Sequence, residues 1–377
     1  MANPLAQPTT VTGATGSTFN NEIDVIDPNF KYPSILRGNL GWDRKLPWGM
    51  VGTAEVLWSK TIKDIKYQNL NFAVVPGVTG FQGRPFFARV ATTLSDVILL
   101  ENTNKGYNWN FSYEVRKPVS KGFFFSGSYS YGVAKTLMDG TSDQAASNWG
   151  NVYTSSSPNN VPMARSNFDP GHRANLTVGY DVRIWKDYKA TVSMFYSGQS
   201  GRPFALTSNR DVNGDNRGTN DLLYLPASAA EMFFNGGTYQ DFTNFINADS
   251  CLAGYLGQII PRNACRGPWI NTLDARLNLQ LPFKTVKAEI TLDVLNVLNL
   301  LNTKSGIIRY MSFGQLTSFT PLVISTSTGL PVTGTPTATQ PLVGYDISAL
   351  LSPTFQRYLR DDLRSRWQIQ LGGRLRF

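Results

Sequence analysis

The chain has 377 residues and a formal net charge of +9, and 41% of its residues are hydrophobic. It contains no uninterrupted run of about eighteen apolar residues, which excludes a membrane-spanning helix of ordinary length. Lysine and arginine are scattered along the chain and form no stripe with stacking aromatic residues, so the charge does not predict nucleic-acid binding. The 33 glycines, the 12% of aromatic residues and the lack of long helix-period segments predict an all-β protein.

The N-terminal half contains segments in which apolar and polar residues alternate with the period of two that marks a β-strand. Trp109, Phe111 and Tyr113, for example, lie on one parity and Asn110 and Ser112 on the other. We expect an N-terminal segment at 1–33, followed by strands at about 34–46, 48–70, 95–118 and 121–138.

The C-terminal half repeats the pattern in segments at about 168–185, 188–201, 270–282 and 285–298, and in a last strand that ends at Phe377. In that last strand Ile369, Leu371 and Leu375 share one parity, while Gln370 and Arg374 share the other. An aromatic residue at the free carboxyl end resembles the terminal signature by which outer-membrane barrels are recognised for assembly. We therefore assign Phe377 as the assembly signal.

The connections between the predicted strands alternate between very short and very long ones. The short ones are predicted at 46–48, 118–121, 185–187 and 282–285, and the long ones at about 71–94, 139–167, 202–270 and 299–364. Loops longer than about fifteen residues are uncommon in compact soluble domains. Outer-membrane barrels have short periplasmic turns and long extracellular loops. The pattern predicts a transmembrane antiparallel β-barrel that crosses the outer membrane many times.

Phe377 also sets the expected orientation of the barrel. If it lies on the periplasmic side, the long connections are extracellular, and counting backward gives about nine strands, whereas single-chain bacterial barrels have even counts. We therefore expect residues 34–377 to form the C-terminal part of a larger barrel and residues 1–33 to lie outside the cell. The alternative is a strand missed within 307–313 or 342–351, which would give a small complete barrel.

One long connection contains a run of oxygen-bearing side chains, with Asp211, Asn213 and Asp215 followed by Asp221. This spacing is similar to that of calcium loops, in which alternate side chains turn toward a hard cation. It departs from the EF-hand rule, because no glycine occupies the sixth position and no glutamate the twelfth. A turn capped by its own Asn and Asp side chains explains the same residues and is the interpretation that we favour. No cofactor is therefore predicted, and calcium ligation by these four residues remains the alternative.

Cys251 and Cys265, the only two cysteines, lie in the same long connection. In an extracellular loop the oxidising compartment favours a disulfide, which would stabilise the loop by about 3 kcal/mol on the chain-entropy model. A zinc site would need further Cys or His ligands, and the sole histidine is the distant His172. We predict a structural disulfide.

The sequence does not predict an enzyme. His172 lies where a strand is expected to begin, and hydrogen bonding at the barrel edge accounts for it better than nucleophilic catalysis does. Glu289 and Asp293 could act as an acid and a base, yet pairing with Arg276 or Lys287 on a polar lumen face is the simpler interpretation. Loop aromatics could contact a sugar or peptide or pack on one another; they are Phe233, Phe234, Tyr239 and Phe242.

Several short motifs, in this order and together with Phe377, resemble the C-terminal barrel of TonB-dependent outer-membrane receptors. The similarity is greatest to the Oar-like branch, which carries a carboxypeptidase-regulatory-like domain. The motifs are Asn21-Glu22-Ile23-Asp24, Leu46-Pro47-Trp48-Gly49, Asn102-Thr103-Asn104-Lys105-Gly106-Tyr107, Phe168-Asp169-Pro170-Gly171-His172-Arg173, Tyr196-Ser197-Gly198-Gln199-Ser200-Gly201-Arg202-Pro203 and Asp293-Val294-Leu295-Asn296-Val297-Leu298-Asn299.

The resemblance implies a barrel of about 22 strands with a plugged lumen, in the outer membrane of a Gram-negative-type bacterium. It also implies porin-like transport of a large or scarce ligand, with specificity in the extracellular loops and the lumen. The implied partners are outer-membrane lipid, the barrel-assembly machinery, the remaining strands and plug from further sequence or another chain, and the TonB system through that plug. No plug or TonB-contacting motif is recognised in these residues, so a structural or adhesive barrel protein without energised transport remains the alternative.

Overall fold

The computed structural model describes residues 21–185, 188–283 and 286–376. Phe377, the predicted assembly signal, and residues 1–20 of the predicted N-terminal segment lie outside the described residues. Strands dominate the part of the chain that is described, as the all-β prediction requires. No helix within those ranges has both the length and the apolar character needed to cross a membrane.

The strands are labelled β1 to β24 and the short α-helices α1 to α5, in chain order through the described residues. The first strands are β1 (Asn21–Ile26), β2 (Ser34–Leu46), β3 (Met50–Asn69), β4 (Phe72–Thr79), β5 (Pro85–Arg89), β6 (Leu94–Thr103), β7 (Gly106–Ser120), β8 (Phe123–Thr136), β9 (Ala164–Arg165), β10 (Gly171–Trp185), β11 (Tyr188–Gln199) and β12 (Pro203–Ser208). The others are β13 (Tyr224–Leu225), β14 (Phe233–Asn235), β15 (Gln258–Ile259), β16 (Cys265–Arg266), β17 (Ile270–Pro282), β18 (Lys287–Leu295), β19 (Arg309–Tyr310), β20 (Gln315–Ile324), β21 (Pro331–Thr333), β22 (Gly344–Asp346), β23 (Leu359–Arg360) and β24 (Gln368–Arg376). The helices are α1 (Ala145–Gly150), α2 (Tyr239–Asn247), α3 (Ser250–Ala253), α4 (Val297–Leu301) and α5 (Asp362–Ser365).

The main sheet is an antiparallel meander of long strands. Each strand of the series β2, β3, β7, β8, β10, β11, β17, β18 and β24 pairs with the next one. Consecutive strands of such a meander run in opposite directions, so its connections fall alternately at the two ends of the sheet. Every short connection lies at one end and every long connection at the other.

The register of the meander aligns apolar side chains in a row that crosses five strands. We call this row the apolar belt, and its members are Tyr180, Val192, Leu277, Leu292 and Leu371, each paired with the next. All are exposed, from 37% for Leu292 to 73% for Leu371. The adjacent row faces the other side of the sheet and consists of Asp181, Thr191, Asn278, Thr291 and Gly372. An exposed apolar face opposite a polar one is the arrangement of a membrane barrel wall.

The strand predicted at about 95–118 is divided in two. Both β6 and β7 pair antiparallel with β3: β6 pairs with its residues 64–69 and β7 with its residues 51–60. The two pieces therefore run in the same direction. The break falls just before Gly106, whose φ is +148° and whose added Cβ would lie 2.5 Å from Oγ1 of Thr61. Only glycine fits this close approach of backbone to side chain. β1 pairs parallel with β6.

The short connections include one that differs from its predicted position. The turn between β7 and β8 consists of Lys121 and Gly122, both with positive φ as a type I′ hairpin turn requires. The sequence predicted this connection from Pro118 onward, yet Pro118 and Val119 continue β7. The ladder shifts register between Lys117 and Ser120, and such a bulge accommodates a proline that cannot donate to the ladder.

The long connections fold together into a separate layer, which we call the loop layer and define as 70–93, 137–170, 200–269 and 296–367. Its own sheet has the order β14, β22, β20, β12 and β16, with β21 beside β20, and includes parallel pairs between distant connections. The segment 307–313 contains β19, which pairs with β23, and the segment 342–351 contains β22, which belongs to the sheet of the loop layer. The segments 307–313 and 342–351 therefore add no strand to the meander in the part of the chain that the structure describes.

The loop layer encloses one hydrophobic core and shares a second with the adjoining ends of β3 and β6. In the larger one Phe204, Leu206, Phe242, Phe319 and Tyr345 are almost completely buried, and they come from two different connections. A second core surrounds Trp149, which stacks on Phe72 with ring centroids 5.8 Å apart. The long connections are thus packed structure and form one end of the molecule.

Candidate functional site

The connection between β12 and β13 folds around the side chain of Asp211. Its carboxylate accepts hydrogen bonds from the backbone amides of Asn213, Gly214 and Asn216 at 3.0, 2.7 and 2.6 Å. Gly214 has a φ of +82°, and an added Cβ would lie 2.3 Å from the carbonyl oxygen of Phe87, so this position requires glycine. These bonds are the ones that a self-capped Asn/Asp turn makes.

The same fold brings three carboxylates together. Asp211, Asp215 and Asp221 each offer an oxygen, and these oxygens all lie within 4.8 Å of one another. Asp215 is 1% exposed and Asp221 is fully buried. We call these three residues the aspartate cluster. The structure thus places three of the four sequence-predicted residues side by side, and the turn interpretation alone does not require this convergence.

Two asparagines line the aspartate cluster, and both are buried. Asn213, the fourth predicted residue, accepts the backbone amide of Asp215 at 3.0 Å through its Oδ1 and donates through Nδ2 to the carbonyl of Ser156 at 2.9 Å. Nδ2 of Asn220 donates to Oδ2 of Asp215 at 2.9 Å. Oδ1 of Asn220 is buried and accepts no hydrogen bond from the residues that the structure describes.

Burial disfavours the ionised form of the cluster. Desolvation raises the pKa of Asp215 to about 7, and the negative charge of Asp211 adds to the shift. Desolvation also raises the pKa of Asp221 well above its ordinary value, with a further increase from Asp215 and an opposing effect of Arg84. Ionising all three carboxylates in this site is therefore costly unless positive charge is supplied.

The positive charge at the cluster comes from a connection that is distant in sequence. Nη1 of Arg84 lies 3.5 Å from Oδ1 of Asp221, and its Nη2 donates to the carbonyl of Leu222. Arg217 points elsewhere: its guanidinium lies 5.3 Å from the centre of the Trp149 ring, and Nη2 pairs with Oδ2 of Asp96 at 3.1 Å. Among the described residues, Arg84 is the cation that forms an ion pair with the cluster. Sequence reasoning missed both Arg84 and Asn220, because neither stands at a ligand position of the calcium-loop pattern.

The predicted disulfide is present. Cys251 and Cys265 are bonded, with their Cα atoms 5.8 Å apart. The bond joins α3 to β16, and β16 pairs with β12, the strand that leads into the aspartate turn. It therefore links the helical part of the 200–269 connection to the sheet of the loop layer.

Arg266 joins two of the resemblance motifs, by contacting a buried carboxylate in one and a backbone carbonyl in the other. Asp169 is 5% exposed and pairs with Nε of Arg165 at 3.0 Å and with the guanidinium of Arg266. Arg266 also donates to the carbonyl of Gly201 at 3.0 Å. Gly171, with a φ of +63°, leaves room for this guanidinium, because an added Cβ would lie 2.7 Å from its Cζ. Asp169 and Arg266 thus fasten the 137–170 connection to the 200–269 connection.

The other residues that the sequence singled out lie in structural contacts. His172 lies at the start of β10, and its Nδ1 shares a 2.6 Å hydrogen bond with the hydroxyl of Tyr129 on β8. The ring centroids of His172 and Tyr131 are 4.3 Å apart. Arg276 pairs with Asp293 across β17 and β18, with 2.9 Å between Nη2 and Oδ2. This is the pairing that was expected as the simpler interpretation.

The loop aromatics that could have contacted a ligand pack mainly on one another. Phe242 is fully buried, and its ring centroid lies 5.2 Å from that of Phe234 and 6.2 Å from that of Tyr239. Phe233 is 55% exposed. Of this group, Phe233 is the most exposed and therefore the best placed to contact a ligand.

The chain matches the model of a family described as outer membrane beta barrel domain over residues 1–322. No curated protein matches the chain. The match agrees with the exposed apolar belt, the polar opposite face and the segregation of long connections to one end of the sheet. The chain therefore belongs to the outer membrane beta barrel domain family, whose place is the outer membrane of Gram-negative bacteria.

Proposed function

We propose that this chain is part of a TonB-dependent outer-membrane transporter that takes up a large or scarce ligand. The observation that carries the proposal is the loop layer, in which all four long connections fold together at one end of the meander. A folded layer at the mouth of a barrel presents a fixed surface to which a ligand can bind before it enters the lumen. The order of the resemblance motifs favours the TonB-dependent class.

Ligand selection on this proposal falls to the loop layer and to the polar face of the meander. That face carries the Arg276–Asp293 ion pair and the row from Asp181 to Gly372, which are polar or small side chains. No catalytic role is included in the proposal. The partners that it requires are lipid on the apolar belt, the barrel-assembly machinery, the remaining strands of a barrel of about 22, a plug, and the TonB system acting on that plug.

The orientation in the proposal can be tested first. An epitope inserted between Thr326 and Ser327, in an exposed turn of the loop layer, should bind antibody on intact cells. The matched insertion between Lys121 and Gly122, at the opposite end of the meander, should bind antibody only after the outer membrane is permeabilised. Labelling of the second site on intact cells would overturn the orientation.

Energised transport is tested by uptake. Cells that produce the chain from its own locus, and cells that lack it, are given labelled oligosaccharides and labelled oligopeptides with and without a functional TonB. The proposal expects a label whose uptake depends on the chain and falls about tenfold or more without TonB, since the transport step would lose its energy source. Chain-dependent uptake that is unchanged without TonB would contradict it. Isolation of the chain in mild detergent should also recover a polypeptide that carries a plug.

A structural or adhesive role is the second candidate. The observation that favours it is the dense packing of the loop layer, which buries or partly buries most of its aromatic residues. On this alternative, loss of the chain would reduce adhesion of cells to a surface or weaken the outer membrane against detergent, and loss of TonB would leave both properties unchanged.

A further inference from the structure

The aspartate cluster, when fully ionised, carries more negative charge than its surroundings neutralise. Three carboxylates meet there, and Arg84 supplies one positive charge by ion pairing. If all three carboxylates are ionised, three negative charges and one positive charge leave two negative charges in a site where Asp221 is fully buried and Asp215 is 1% exposed. Buried charges persist when they are paired or when they coordinate a metal. The charge that is missing equals that of one divalent cation.

A second observation at the same place is independent of the carboxylates. Asn220 is 1% exposed, its amide group abuts the carboxylate of Asp215, and its Oδ1 has no hydrogen-bond partner within the described residues. A buried carbonyl oxygen without a donor destabilises the fold, because it has lost its hydrogen bonds to water and gained none. A cation between this oxygen and the carboxylates would satisfy it. The hydrogen bond from Nδ2 to Oδ2 of Asp215 sets the orientation of the amide and leaves Oδ1 as its unpaired atom.

We infer that Asp211, Asp215, Asp221 and Asn220 form a calcium site in the loop layer. This inference is independent of the proposed transport function.

The donor set selects the class of cation. Carboxylate and amide oxygens are the ligands of hard cations, and calcium takes six to eight oxygens at about 2.3–2.6 Å. Oxygens that all lie within 4.8 Å of one another can touch one such ion together. Magnesium usually keeps several of its waters, which a site this deeply buried accommodates poorly. The cluster contains no sulfur or imidazole nitrogen, the donors that favour transition metals.

The position of the cluster indicates what calcium would do. The site joins three of the four connections of the loop layer: the amide of Phe87 donates to the carbonyl of Asn213 at 2.7 Å, and the amide of Thr154 donates to that of Asn220 at 2.8 Å. Calcium bound to the carboxylates would hold these connections in place. A site for the calcium levels outside a cell needs only a dissociation constant of about 0.1–1 mM.

Direct binding is the first test. The full chain is extracted from the outer membrane in detergent, stripped with chelator and dialysed against radiolabelled calcium, with magnesium as competitor. We expect one calcium per chain and at least tenfold weaker displacement by magnesium. Asp215→Asn should weaken calcium binding at least tenfold, since it removes a charged ligand. The matched control is Asp143→Asn, which changes an exposed aspartate of the same layer and should bind calcium as the unaltered chain does.

Proteolysis of the loop layer provides a second readout that distinguishes loss of a ligand from loss of folding. Calcium should slow cleavage within 209–221 at least fivefold in the unaltered chain and in Asp143→Asn. In chelator, Asp215→Asn should resist cleavage at least as well as the unaltered chain, because it replaces a carboxylate whose ionised form is disfavoured there by a neutral amide. Calcium should give it no further protection. Asn220→Asp should be cleaved faster than the unaltered chain in chelator and be rescued by calcium.

The outcomes are decisive in both directions. Calcium-dependent protection that Asp215→Asn abolishes and Asp143→Asn retains would establish the site. Absence of calcium binding by the stripped chain would overturn the inference, and so would failure of calcium to rescue Asn220→Asp. Faster cleavage of Asp215→Asn in chelator would also overturn it, because the charged carboxylate would then stabilise the turn without a cation. None of these results depends on whether the chain transports a ligand.

Discussion

The apolar belt and the core of the loop layer use similar residues in opposite ways. Leu371 in the belt is 73% exposed, whereas Phe319 and Ile347 in the loop layer are fully buried. In the loop layer the ordinary rule holds, and apolar side chains turn inward away from water. In the meander the apolar face turns outward and the polar face lies opposite, as in a barrel whose outer wall contacts lipid. The meander is therefore built to face lipid and the loop layer to face water, and the boundary between the two regions runs along the ends of the long strands.

The largest expected effect comes from removing a ring in the loop-layer core. Phe319 lies within 6.3 Å of the rings of Phe242, Phe245 and Tyr345, measured between centroids. Phe319→Ala should lower the free energy of unfolding of the layer by about 3–5 kcal/mol, because it removes buried apolar surface and leaves a cavity. Hydrogen exchange of the layer's amides measures the loss.

The matched control for Phe319→Ala is Leu292→Ala in the apolar belt. Its effect should be much smaller, since lipid is about as apolar as the leucine that it contacts. Equal losses at the two positions would mean that the belt packs against protein, and the proposed difference in solvent between the two regions would fail.

The disulfide should have the next largest effect, confined to the loop layer. Replacing both Cys251 and Cys265 by serine should destabilise the layer by about 3 kcal/mol, because the unfolded connection is no longer held in a closed loop. Urea-dependent proteolysis of the layer measures the change, and reductant added to the unaltered chain should reproduce it. Loss of strand content from the meander in the same experiment would show that the two regions unfold as one unit and would break the comparison.

A charge placed on the apolar belt tests the lipid side directly. Leu292→Arg should cost at least about 2 kcal/mol, the lower end of the range for arginine near the middle of a barrel's lipid face. The yield of folded chain in the outer membrane, and its unfolding in lipid, report the loss. Gln280→Arg is the control, because Gln280 lies on the polar parity of β17 and should tolerate a charge. Similar yields from the two variants would contradict the assignment of the faces.

The strands of the meander could be predicted from the sequence because the pattern that indicates each strand is local. Alternation along each strand and turn residues between strands are read within about ten residues, and the structure has strands where the alternation indicates them. The errors have local causes as well: a bulge carries Pro118 into β7, and Gly106 divides a strand at a close contact with Thr61. The disulfide was accessible for a different reason, since the two cysteines had no other partners.

The loop layer was not accessible in the same way. Its sheet pairs β12 with β20, and Arg84 reaches Asp221 across 137 positions of sequence. Such contacts depend on how connections from different hairpins pack together, and no periodic pattern in the sequence predicts that packing. The spacing of Asp211, Asp215 and Asp221 did indicate an oxygen-rich turn. Their convergence became visible only in three dimensions, as did the unpaired oxygen of Asn220.

The smallest expected effect comes from breaking the Arg276–Asp293 ion pair, and it tests whether water contacts the polar face of the meander. The side chain of Arg276 is 59% exposed and that of Asp293 is 14% exposed, so their ion pair is only partly buried. If water fills the space beside this face, Arg276→Gln should cost at most about 1 kcal/mol, as exposed pairs do. If that space is dry, the same change leaves Asp293 without a partner and should cost about 3–5 kcal/mol.

A double-mutant cycle with Asp293→Asn separates these two cases for the Arg276–Asp293 pair. Unfolding of the four proteins in lipid at low and high salt gives the coupling energy of the pair. In a wet lumen the coupling is below about 1 kcal/mol and falls as salt screens the charges. A larger, salt-independent coupling would mean that the polar face is covered by protein. The meander would then bury its polar face as the loop layer buries its apolar one, and the two regions would differ only in what contacts the apolar belt.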